Sequence, residues 1–228
     1  MANVLEGVEI YAGDILSQDL DNLYLYHNHL HTQLVVQNTN EVLGHYQLDE
    51  KEQNALLMAA WLHDTGYTLG SREHEKESSR IAEKFLMEQG LGKEAIEQVC
   101  GLIMATERYH QPGNLPEEII RDADAAHLGA KNFMEISELL KEELALLDIA
   151  HYTPGEWREA NIEMFRTEHH FYTEYAKEHW QPGKDKNLQR LIKEKKAEKK
   201  VAKKEALKAR FKEENPERGI QTMYRVTM

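Results

Sequence analysis

His63 and Asp64 stand side by side at the end of the most apolar stretch of the chain, Ala55 to Leu62, and directly before Thr65-Gly66. His27 and His31 are four residues apart, so on a helix they share a face. Asp122 and Asp124 lie within Ile119-Ile120-Arg121-Asp122-Ala123-Asp124-Ala125-Ala126, an apolar helical pattern. A core-facing carboxylate is costly unless it is paired, and a divalent cation would pair it. Imidazoles with carboxylates form a mixed nitrogen and oxygen set suited to Mn, Fe, Ni, Co, Zn or Mg. Such an ion acidifies water and polarises a phosphoryl oxygen. The chain has twelve histidines, all before residue 180; His29, His45, His127, His151, His169, His170 and His179 show no partner spacing that marks a site.

These residues need helices to hold them, and the 3.6-residue period supplies helices throughout. The pattern predicts helices over Asn3 to Ser17, Asn28 to Tyr46, Asp49 to about His63, Arg72 to Gln89 under a Ser71 cap, and Lys93 to about Arg108. Others follow over Glu117 to Gly129, Asn132 to His151 and Glu156 to Trp180, with Gln181-Pro182-Gly183 as a stop. No alternating β-branched run and no repeat stands out. The expected fold is all-α, a bundle of about eight or nine helices with a long basic C-terminal helix.

Composition narrows the class further. Of 228 residues 41% are hydrophobic, enough for a packed core. Cys100 is the single cysteine, which excludes an intrachain disulfide framework and an all-cysteine zinc site. The acidic N-terminus lacks the basic region of a secretory signal, and no apolar run is long enough to span a bilayer; the default setting is reducing and cytoplasmic. Residues 1–183 carry 13 Lys and Arg against 33 Asp and Glu, a balance of −20. Residues 184–228 carry 15 against 7, a balance of +8. The chain therefore divides into an acidic body, 1–183, a basic helical spacer, 184–214, and a tail, 215–228. The spacer is read as a solvated rod with apolar positions too sparse to bury much core area. An acidic body argues against specific nucleic-acid binding.

Three motifs occur in order: Tyr26-His27-Asn28-His29-Leu30-His31-Thr32, then Trp61-Leu62-His63-Asp64-Thr65-Gly66, then Asp122-Ala123-Asp124 followed by Leu128-Gly129. Over roughly residues 22–180 the set resembles the HD-domain phosphohydrolase superfamily, specifically its bacterial branch of metal-dependent phosphohydrolases. The resemblance implies an all-α HD bundle, with metal ligands at His31, His63, Asp64 and Asp124. Asp122 then becomes a capping or supporting residue. It also implies that His27 protonates the leaving oxygen, as the equivalent histidine does in the cyclic-nucleotide phosphodiesterases that share the pattern, and that Asp64 or Asp124 orients the attacking water.

His74, in Arg72-Glu73-His74-Glu75-Lys76-Glu77-Ser78-Ser79, is similar to a second-metal histidine of the two-metal HD proteins. Their further histidine is replaced by Thr106 in Ile103-Met104-Ala105-Thr106, and His110 is a poor substitute. One divalent ion is therefore expected, with a second allowed for; His74 is assigned to substrate phosphate or that second ion, and Arg72 to a phosphate contact. The implied function is hydrolysis of a phosphoester of a phosphorylated small molecule, a nucleotide or cyclic nucleotide by analogy. The alternative is a non-catalytic nucleotide sensor that signals to a membrane or partner module. Arg218-Gly219-Ile220-Gln221-Thr222-Met223-Tyr224-Arg225-Val226-Thr227 resembles the segment ahead of the transmembrane helices of Pycsar-type effectors. That implies membrane association of a longer protein, at the inner face of the membrane.

Overall fold

Helix α3 (Glu50–Leu62) is the centre of the fold, because its sequence is apolar on nearly every side. Leu56, Ala59, Ala60 and Leu62 are wholly buried. Its start is fixed by a capping box: Asp49 accepts from the Glu52 amide, and the Glu52 carboxylate accepts from the Asp49 amide. The computed structural model describes residues 2–70 and 72–214. Around α3 pack α1 (Ala2–Gln18), α2 (His29–Leu43), α4 (His74–Glu88), α5 (Lys93–Met104) and α6 (Leu115–Asp124). Then come α7 (Phe133–Leu146), α8 (Pro154–Glu163), α9 (Glu174–His179) and α10 (Gln181–Glu214). Two short 3-10 turns, Thr65–Leu69 and Ala125–Gly129, follow α3 and α6, and a π-helical turn, Met164–Glu168, follows α8. No strand occurs among the described residues, so the all-α expectation holds.

Three expectations are corrected. The helix read from Glu156 to Trp180 is broken into α8, the π turn, an extended stretch and α9. Asp122 causes the break: its carboxylate accepts from the amides of Tyr172 and Thr173 and from the Thr173 hydroxyl, which holds those residues out of helical register. The Thr173 hydroxyl in turn caps α9 by accepting from the Ala176 amide.

The stop read at Gln181-Pro182-Gly183 is instead the start of α10, where proline is tolerated because the first-turn amides need no helical partner. The boundary expected between 183 and 184 therefore falls inside one helix. Leu191 is buried in a second core with Leu128, Phe133, Ile162 and Phe165, and Leu188 and Ile192 pack against it. Only the far part of α10, from Lys196 onward, is exposed at every described side chain.

Finally, α4 begins at His74 rather than Arg72. Glu73, with a left-handed φ of 52°, turns the chain into it; Ser71 lies outside the described residues. No described helix is long and apolar enough to cross a membrane. The segment 215–228 with its effector-like resemblance also lies outside the described residues.

Candidate metal centre

Three helix ends deliver the polar cluster. Asn28 caps α2 by accepting from the amides of Leu30 and His31, so the His31 ring leaves the first turn of the helix and points inward, 7% exposed. His63 and Asp64 follow the last residue of α3 and are 1% and 2% exposed. Asp124 ends α6.

His31 Nε2 stands 3.4 Å from Asp64 Oδ2 and 3.1 Å from Asp124 Oδ1. His63 Nε2 stands 3.1 Å and 3.8 Å from the same two atoms. Donor atoms bound to one ion at about 2.1 Å and at right angles lie about 3 Å apart, so the spacing suits a shared cation. The donor atoms of His31, His63 and Asp124 all lie within 4.8 Å of one another.

The hydrogen bonding points the same way. His63 Nδ1 donates to the Ala60 carbonyl at 2.9 Å, which leaves Nε2 with its lone pair. Nε2 of His63 and Oδ2 of Asp64 are both buried and have no hydrogen-bond partner among the described residues. His29 Nδ1, Thr32 Oγ1 and Arg121 Nε are also unpartnered, but none of them lies in this cluster. With the ring neutral, two facing acceptor atoms would be a costly arrangement in a core; a proton on the ring answers them when no ion is bound, and a cation would take that proton's place. The electrostatics show the same demand for positive charge among these carboxylates. Burial pulls the His63 ring down, yet the Asp64 carboxylate beside it and Asp124 carry it up to about 9. Burial pushes the carboxylates up, but the imidazoles hold Asp64 well below the carboxylate range and Asp124 at about 2. The donor set and its orphaned atoms thus fit a divalent ion.

His74 is brought to the other oxygen of Asp64: its Nε2 is 3.8 Å from Oδ1. Gly66 makes this approach feasible, because a Cβ there would overlap the His74 carbonyl and the Ser78 amide, and its own amide donates to Ser78 Oγ. Burial lowers the His74 ring, whose Nδ1 is 3.4 Å from Glu75 Oε2. Arg72 is exposed on the turn before α4 and makes no ion pair among the described residues. Thr106 spends its hydroxyl on the Ile103 carbonyl, and His110 pairs with Glu117, so neither supplies a ligand here.

His27 lies beside the cluster, its ring 5.9 Å from that of His31 and 4.4 Å from that of Tyr67, which stacks on His74. Its partner is Glu143, which the sequence reading did not single out. Glu143 is 1% exposed on α7. One of its oxygens accepts from the amides of Tyr26 and His27, and the other meets His27 Nδ1. The ring is thereby locked with Nε2 as its free nitrogen. Burial lowers His27, but the Glu143 hydrogen bond and the charges of Asp64 and Asp124 outweigh it and the ring is raised.

His127 was also passed over. Its Nδ1 lies 3.0 Å from the Tyr26 hydroxyl and 3.1 Å from the Asp124 carbonyl, behind the cluster. Burial and the charge of His31 push it down to about 4, so it is a neutral support. The one available signal for Glu143 was a carboxylate three residues after Leu140 on the inward face of α7.

Residues 26–129 match the family model of the HD domain. The chain carries an HD domain. HD domains belong to a superfamily of metal-dependent phosphohydrolases and usually act as metal-dependent hydrolases, and the His and Asp cluster at the heart of this one is able to hold a metal ion. Searches of the curated proteins and of the solved structures gave no match. Glu143 and α10 lie beyond the matched HD residues.

Proposed function

We propose that this HD domain hydrolyses a phosphoester, with one divalent cation held by His31, His63, Asp64 and Asp124. The observation that carries the reading is the facing pair of orphaned atoms, His63 Nε2 and Asp64 Oδ2, 3.1 Å apart. A divalent ion there supplies Lewis acidity, which lowers the pKa of water and draws charge from a phosphoryl group. The protein's own residues do the rest. Asp64 and Asp124 orient the attacking water through their oxygens. His27, held at Nδ1 by Glu143, offers Nε2 as the proton donor to the departing oxygen. His74, with Nε2 3.8 Å from Asp64 Oδ1, would contact a phosphate oxygen or help to hold a second ion. Arg72, exposed two residues before His74, is a phosphate contact in this reading.

The substrate class is a phosphorylated small molecule, with nucleotides and cyclic nucleotides the first to test. The acidic body favours a small-molecule substrate over nucleic acid, and the basic C-terminal region favours contact with an anionic membrane surface.

The test is metal analysis of the purified protein, followed by a panel of phosphomonoesters and phosphodiesters with Mn²⁺, Co²⁺, Ni²⁺ and Mg²⁺. Metal-dependent release of phosphate or of a nucleoside monophosphate is the expected result. Tight nucleotide binding with no turnover under any metal would favour the sensor instead, and absence of both would end the reading.

A further inference from the structure

Asp124 is the last residue of α6, and its carboxylate is 31% exposed, the most open of the four proposed ligands. It leads directly into the 3-10 turn Ala125–Gly129, whose His127 Nδ1 lies 3.1 Å from the Asp124 carbonyl. That turn is gripped by α10, a helix outside the matched HD residues. Three contacts make the grip. Gly183 lies directly on Gly129: a Cβ on Gly183 would overlap the Gly129 carbonyl, and a Cβ on Gly129 would meet the Trp180 carbonyl. The buried Asn187 amide donates to the carbonyls of Leu128 and Ala130, both at 2.9 Å. Leu191 packs with Leu128 in the second core. Lys184 pins the same turn of α10 elsewhere, donating to the Nδ1 and carbonyl of His169.

We infer that the base of α10 is a frame for the metal centre, in which Gly183 and Asn187 act as positioning residues for Asp124. The inference rests on the reading of Asp124 as an ion ligand. The physical reason is that a 3-10 turn has weaker internal hydrogen bonding than an α-helix, so the carbonyls of this turn are held from outside. Asn187 supplies two donors to that task from one side chain. Freeing the turn lets the Asp124 carboxylate move relative to His31 and His63, and supporting groups outside the ligand shell typically change metal affinity by about 10–100-fold. The exposed half of α10 has no part in this, although it is the same helix.

The experiment is a calorimetric titration of the full chain with Mn²⁺ alone, paired with the urea midpoint of the metal-free protein. Asn187→Ala is expected to weaken Mn²⁺ binding roughly 10-fold. Lys203→Ala/Lys208→Ala, on the exposed half, is expected to bind as the wild type does. Leu191→Ala loosens the same grip by packing alone and serves if Asn187→Ala does not fold; it too should lower the affinity. A lower urea midpoint with unchanged Mn²⁺ affinity in the folded variants would show that α10 is only scaffold and overturn the inference, as would an equal loss in the exposed-half variant. A wild-type protein that binds no Mn²⁺ would instead overturn the ligand assignment, so the two failures are separable. Hydrogen exchange gives an independent check: Mn²⁺ should slow exchange in residues 181–191 as well as in α6, and no slowing at α10 counts against the coupling.

Discussion

Helix α6 carries two aspartates two residues apart, and the polar clusters around them are built on opposite principles. Asp122 is fully buried, and every bond it makes is answered: two amides and a hydroxyl from residues 172 and 173 close on its carboxylate. Burial pushes its pKa up to about 6 although those donors pull it down. Asp124, with Asp64, His31 and His63, forms a cluster of acceptors in which two buried atoms have no hydrogen-bond partner among the described residues. The first cluster is complete as it stands and fixes a chain segment. The second is complete only with something positive inside it. Burial and residue type do not separate the two; the accounting of donors against acceptors does.

Removing a ligand should break the second cluster outright. Asp64→Ala is expected to reduce bound Mn²⁺ to background by elemental analysis, and metal retained at the wild-type level would contradict the assignment. Next in size is His27→Ala, which should lower kcat on substrates with poor leaving groups by roughly 10²–10⁴-fold while metal content is kept. Glu143→Gln should show a smaller loss in the same parameter, and a nitrophenyl ester should suffer least in both variants. Equal losses for good and poor leaving groups would remove the proton-donor role.

The first cluster should fail differently. Asp122→Ala leaves three donors without their acceptor and is expected to cost about 2–4 kcal/mol in urea unfolding, with Mn²⁺ binding preserved in the folded fraction. Loss of metal without loss of stability would erase the distinction between the two aspartates.

A smaller effect should come from Lys184, a buried cation with a histidine rather than a carboxylate as its partner. Burial lowers it to about 8, against only a small opposing pull from Asp185. The unfolded chain therefore holds this proton more tightly than the folded one, so the wild type should gain stability relative to Lys184→Met as pH rises from about 8 towards the ordinary lysine range near 10.4. Urea midpoints of both proteins across that window test the sign; a difference that is flat or falling refutes it. His169 is pushed down to about 3, so it does not titrate in the window.

Local signals carried much of this architecture. The Asp49 cap, the apolar α3 and the Asn28 cap are short-range patterns, and the helices they start lie close to where periodicity placed them. The ordered motifs named four residues that the structure does bring together. What periodicity missed was decided at long range. Glu156 to Trp180 reads as one helix because its own residues permit one; the break is imposed by Asp122, some 50 positions earlier. Pro182-Gly183 reads as a stop because each residue ends helices in most settings, but here the glycine answers the close approach of Gly129. Leu188, Leu191 and Ile192 look sparse among lysines, yet three apolar residues within two turns are enough when a second core waits beneath them. Glu143 is one of four glutamates on α7, and little local in the sequence sets it apart from the others.

The bonds from Glu143 to Tyr26 and His27 join positions 117 and 116 residues apart. Closing so long a loop is slow compared with winding a helix. Helix α2 and its histidines can therefore form early, yet the strap that orients His27 must wait until α7 has arrived. During synthesis, His31, His63, Asp64 and Asp124 all leave the ribosome before Glu143 does. The strap that orients His27 is therefore a late addition to a cluster whose four members are made first, and the base of α10, which holds the turn after Asp124, is made later still.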